Sequence, residues 1–149
     1  MKSILKPLAV CLSMAITTSS IGQQGLFHRA ENGVEIALIS VKRTSDYTEI
    51  HLQSLTASRG GVCWYKSGPD SPYLIADERR LRFIGGDNIT SCPERRLYSE
   101  REIMVLRFEP MPQSVREFSL VEGEGGEDQM RGHRKPNETF WNFLYVKLN

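Results

Sequence analysis

Beyond residue 33 the hydrophobic positions repeat every two residues. Residues 34–42, with Val34, Ile36, Ala37, Leu38, Ile39 and Val41, are apolar on both faces, as a buried strand is. Residues 47–53 alternate: Thr48, Ile50 and Leu52 point one way, and Glu49, His51 and Gln53 the other. That is the mark of a half-exposed antiparallel strand. The polar residues 43–46 between the two make a hairpin turn. An extended piece at 61–65 runs into a breaker cluster, Ser67-Gly68-Pro69-Asp70-Ser71-Pro72. Residues 73–76 and 81–84 flank Asp77-Glu78-Arg79-Arg80 and read as a second hairpin. Gly85-Gly86-Asp87-Asn88 reads as a turn, and residues 89–92 as a short extended piece.

Residues 103–108 form a strong strand that Pro110-Met111-Pro112 stops, and residues 117–121 follow it. Residues 122–138 form a long polar loop, and residues 140–148 close the chain as a strand apolar on both faces. No segment after residue 22 keeps a 3.6-residue period over three turns. About eight short strands with turn signals between them predict an all-β domain, an Ig-like antiparallel β-sandwich of roughly 7–9 strands.

Residues 1–22 follow another pattern. Lys2 and Lys6 precede an apolar run from Leu8 to Ile16, and Thr17, Thr18, Ser19, Ser20 and Gly22 are small or short. A basic start, a short apolar run and small residues before a cut are the parts of a secretory signal, here cleaved after Gly22. The run is well short of the ~20 residues of a membrane-spanning helix. A buried N-terminal helix is the alternative. A lipoprotein signal at Cys11 is opposed by the bulky Val10 before it. Cleavage leaves one domain, residues 23–149, with no transmembrane segment, destined for periplasm, cell surface or secretion. It also removes Cys11, so three cysteines become the pair Cys63 and Cys92. Export permits a disulfide between them, closing a loop of about 30 residues worth roughly 3–4 kcal/mol.

Composition narrows the function classes. Of 149 residues, 40% are hydrophobic and 25% charged, which excludes collagen-like and disordered chains. A net charge of +1, falling to −1 when the signal takes two lysines, lacks the global footprint of a nucleic-acid binder. His28, His51 and His133 stand at no ligand spacing, so neither a zinc site nor any other metal or cofactor is expected. Gly-x-Ser-x-Gly, His-Glu-x-x-His and Ser-x-x-Lys are absent from residues 23–149, and no catalytic residue is assigned. A scattered triad using His51 or His133 is the residual enzyme reading.

Three pieces carry a resemblance. They are Tyr73-Leu74-Ile75-Ala76-Asp77 leading to Leu81-Arg82-Phe83-Ile84-Gly85; Leu106-Arg107-Phe108-Glu109-Pro110-Met111-Pro112 leading to Phe118-Ser119-Leu120-Val121-Glu122-Gly123; and Trp141-Asn142-Phe143-Leu144-Tyr145-Val146-Lys147-Leu148. Together they resemble small exported Ig-like β-sandwich domains of Bacteroidota, over roughly residues 34–148. That family has no established catalytic residues to carry over. The Cys63/Cys92 pair and the length of the loop before Trp141 depart from its pattern. In such a setting the Asn88-Ile89-Thr90 and Asn137-Glu138-Thr139 sequons carry no glycan.

Three groups of residues are candidates for binding. The loop after Val121 places Glu124, Glu127 and Asp128 before Arg131, His133, Arg134 and Lys135, a partner-binding loop that neutralises itself when free. Calcium ligation by Glu122, Glu124, Glu127 and Asp128 lacks the spacing of a known loop. Nor does the loop bind phosphate, since no helix is expected to start there. Trp64, Tyr65, Tyr73 and Trp141 are candidate ligand aromatics for a glycan, with core packing as the alternative. Arg79, Arg80, Arg82, Arg95 and Arg96 form a basic cluster suited to an anionic partner or to a charged strand edge. The expected function is an exported, non-enzymatic module that binds another envelope or surface macromolecule through residues 122–137 and its strand edges. A carbohydrate-binding module is the alternative, and a small hydrolase the third reading.

Overall fold

In the computed structural model the described residues are 22–31, 35–133 and 140–149. Most of the proposed signal segment, Val34, and Arg134 and Lys135 of the candidate loop lie outside them. The strands are β1 (Gln23–Arg29), β2 (Ile36–Arg43), β3 (Thr48–Ser54), β4 (Tyr73–Ala76), β5 (Arg79–Asp87), β6 (Ile103–Phe108), β7 (Glu117–Val121) and β8 (Phe143–Lys147), with one helix, α1 (Gly123–Met130).

The expected all-β class is present. All neighbouring strands pair antiparallel in one sheet of order β1-β2-β3-β6-β5-β4-β7-β8, curled nearly into a barrel. The run β3-β6-β5-β4 is a Greek key. The edge strands approach each other without a ladder. Asn149 N–H donates to Gln24 Oε1 at 3.1 Å, and Glu31 N–H donates to Asn142 O at 2.8 Å.

Alternation explains the core. Ile50, Leu52, Leu106, Phe108, Leu81, Phe83 and Leu120 all point inward. Phe83 and Phe108 meet at 5.7 Å between ring centroids, in a tilted pair. Each large side chain buried this way contributes about 1.5–3 kcal/mol. The outer face of β3 is also covered. Glu49 is buried there because His51 Nε2 lies 2.8 Å from one of its oxygens and Arg107 Nε donates to the other at 2.9 Å.

The expected turn at 85–88 is instead the bent end of β5. Arg79 to Arg82 pair with β4, and Phe83 to Asp87 pair with β6, with a register shift between Phe83 and Gly85. This strand therefore joins what would otherwise be two sheets into one, where a sandwich was expected. Gly86 makes the bend possible: a Cβ there would lie 2.0 Å from the Val105 carbonyl oxygen. Two further expectations change. The extended pieces 61–65 and 89–92 are not strands of the sheet; Trp64 meets Ser91 in one isolated bridge, and Val62 meets Arg96, beyond the second piece, in another. The polar loop after Val121 begins with α1.

Replacing Gly86 with Ala forces β5 and β6 apart. Gly86→Ala is expected to lower unfolding free energy by about 1–3 kcal/mol in denaturant titration, the usual cost of overpacking.

Candidate functional site

Antiparallel order sends the three longest connections to one end of the barrel. Residues 44–47, 77–78 and 109–116 turn the chain at one end of the barrel. The four other connections, 30–35, 55–72, 88–102 and 122–142, leave and rejoin the strands at the opposite end.

These loops are tied to one another. Cys63 and Cys92 form the expected disulfide between the second and third. Beside it, Val62 and Arg96 exchange backbone hydrogen bonds at 2.8 and 3.0 Å, and Trp64 N–H donates to Thr90 O at 2.9 Å. The fourth connection is tied to the second where Glu124 N–H donates to Pro69 O at 2.7 Å. Asn142, fully buried, accepts from Glu122 N–H at 3.2 Å and donates to Gly126 O at 2.8 Å.

The candidate aromatics separate. Trp64 (2% exposed) and Trp141 (9% exposed) pack edge-to-face at 4.4 Å and stopper the barrel end as part of the core. Tyr73 is buried too, and Tyr65 alone is exposed. The four do not share an exposed face.

The candidate partner loop also divides. Glu127 is only 4% exposed. It accepts from the Tyr73 hydroxyl and from Arg131 Nη2 at 2.6 Å, and pairs with Arg80 Nη2 at 2.7 Å. Burial opposes its ionisation, but these three donors outweigh it and hold the carboxyl below its ordinary range. Burial, reinforced by the bond to Glu127, raises the Tyr73 phenol well above its usual value. Arg131 is thus engaged within the fold. Glu124, Asp128 and His133 remain exposed on or just after α1. α1 is an element the sequence concealed, since its buried positions are Gly123, Gly126, Glu127 and Gln129.

Glu122, just before α1, is a titratable group the sequence did not single out for this role. Its Oε2 accepts from Trp141 N–H at 3.1 Å. Burial pushes its pKa up to about 7; the Trp141 hydrogen bonds oppose that rise and Asp70 adds to it.

The basic cluster is largely paired. Arg82 meets Glu109 at 2.7 Å, Arg96 meets Glu102, and Arg95 donates to Gly61 O at 3.2 Å. His51 does meet a carboxylate, Glu49, and Ser40 is its cross-strand partner. Ser40 Oγ, however, accepts from Gln23 Nε2 at 2.9 Å and is buried, and Arg107 holds the same carboxylate.

The loop end carries depressions. One of about 700 Å³ lies between Ile36, Ser58, Val62, Tyr98 and Met104. Two others, about 410 and 340 Å³, share Lys66, Phe83 and Ile84 and form one groove along β5. None of the three reaches His51. Among the described residues no group of three or more His, Cys, Asp or Glu is placed to hold a metal. Comparison with protein families, curated proteins and solved structures gives no match to this chain.

Two expectations follow from the buried carboxylates. Glu127→Ala strands Arg80, Arg131 and the Tyr73 hydroxyl, and is expected to cost about 1–3 kcal/mol in unfolding free energy. For Glu122 the folded pKa lies above the unfolded one, so its stabilising effect is complete below the ordinary value of 4.5 and is lost as pH rises to about 7. The loss is on the order of 3 kcal/mol. Denaturant titrations across that window are expected to show the decline in the parent and to lack it in Glu122→Gln.

Proposed function

We propose that this protein is an exported, non-enzymatic binding domain whose loop end engages another macromolecule of the cell envelope or surface. One observation supports the reading: the three longest connections, 55–72, 88–102 and 122–142, all leave the same end of the barrel, and a disulfide braces two of them there. Loops held on a rigid scaffold are where binding residues concentrate. The disulfide is compatible with an exported protein, as is the lack, among the described residues, of a helix long and apolar enough to cross a membrane. The resemblance to exported Bacteroidota domains agrees with the same setting. Burial of Trp64 and Trp141 takes away the aromatic face on which a glycan reading would rest.

Exposed Leu97 and Ile84 belong to the loop end, while Glu78 lies in the tight β4–β5 turn at the other. Affinity capture from a native envelope extract is expected to recover a specific macromolecule with the parent and with Glu78→Lys. Leu97→Glu or Ile84→Glu is expected to lose it at least tenfold. Capture that is absent, or equal for all variants, would contradict the reading.

A further inference from the structure

The pairing of β5 is incomplete on one side. Its ladder with β4 ends at Tyr73 opposite Arg82. The next residue of the β4 chain is Pro72, which has no N–H to continue the ladder. Residues 67–71 then turn away, with Gly68 at φ +87° and Ser71 N–H bonded to Gly68 O at 3.1 Å. From Phe83 to Asp87 the strand pairs with β6 alone, and no described strand occupies its other side. The groove of about 410 and 340 Å³ lies along this open edge.

The far wall of the groove is the disulfide-braced segment that carries Trp64 and Lys66, together with Ile89. Phe83, Pro72 and Ile89 supply apolar lining, and Ile84, which lines both parts, is 55% exposed. Open edges of this kind accept an extended chain by strand addition, with main-chain bonds for affinity and side-chain pockets for specificity.

Charge selects among extended chains. No acidic side chain lines either part of the groove, whereas Lys66 lines both and Arg82 one. Glu109 already binds the Arg82 guanidinium through Nε at 2.9 Å and Nη2 at 2.7 Å. Lys66 has no ion pair among the described residues.

We infer that the groove along β5 binds an extended peptide segment of a partner protein, with an acidic residue of that segment set against Lys66 and apolar residues flanking it. The segment adds to the sheet beside residues 83–87 and takes the place β4 leaves empty. This inference rests on the reading of the protein as a binding domain and names what the domain binds.

The probe is a display library of random nine-residue peptides selected on the oxidised protein. Recovered peptides are expected to share one acidic residue within an alternating apolar pattern. Adding a recovered peptide is expected to shift the amide resonances of Ile84, Gly85, Gly86 and Asp87. Lys66→Glu is expected to weaken binding at least tenfold, and Lys66→Arg to retain it. Both substitutions are at an exposed side chain, so unchanged melting temperatures separate lost binding from lost fold. Recovery of no peptide, recovery of peptides without an acid, or resonance shifts confined to other strands would overturn the inference. So would binding to anionic vesicles or oligosaccharides that the Lys66→Glu change abolishes while peptides bind neither form. Capture from the envelope extract that survives Lys66→Glu unchanged overturns this inference alone and leaves the binding-domain reading standing. Peptide binding with no envelope capture leaves the groove's specificity standing and overturns the envelope setting of that reading.

Discussion

A sheet curled this far leaves two open ends, and the apolar interior at each must be shielded from water. At one end two tight turns and the connection 109–116 do this, with Arg43 donating to the Val115 carbonyl at 3.1 Å. At the other, irregular loops must do it without a ladder of their own. The disulfide is what makes that arrangement definite. It holds the segment bearing Trp64 across the barrel end, where the indole meets Trp141 and so fixes the start of β8. Without the link, two long connections would have to be ordered by five backbone hydrogen bonds against the entropy of both loops.

The same arrangement creates the groove. Because β5 bends at Gly85 and Gly86 to follow β6, it parts from β4, which begins only after Pro72. The braced segment stands off from the bent strand and leaves Ile84 and Lys66 uncovered. The fourth connection is anchored differently. Its helix has no side-chain cap and no apolar stripe, and it is held by the ionic and hydrogen-bonded contacts of Glu127 and Asn142. Charged groups at this end therefore differ in their surroundings. Those of Glu127, Arg80 and Arg131 hold structure, whereas Lys66 is exposed and has no ion pair among the described residues.

What the sequence made legible follows from which forces are periodic. Strands β2, β3 and β6 bury alternate or continuous apolar residues, so their pattern announces them. β1 does not, because an edge strand with Leu26 as its main inward side chain has little to alternate. Residues 123–130 are glycine-rich and acidic, a composition that favours a solvated loop; their helix depends on Tyr73, Arg80 and Asn142, partners remote in sequence. Gly85 and Gly86 carry the ordinary signal of a turn, and only the register with Leu106 and Arg107 shows them to be a strand that bends. The cysteine pair was readable from its parity alone. The groove was not, because its walls come from two segments that the disulfide brings beside β5.

Residue-resolved amide hydrogen exchange, compared between the oxidised and the reduced protein, tests the role of the disulfide-braced end most directly. Reduction should accelerate exchange at Val62, Trp64, Cys92 and Arg96, whose amides bridge the two loops, far more than at Ile50, Leu52 and Leu106 within the barrel. Equal acceleration throughout, or none at the loop amides, would contradict the account of a self-standing barrel whose loop end the disulfide holds in place.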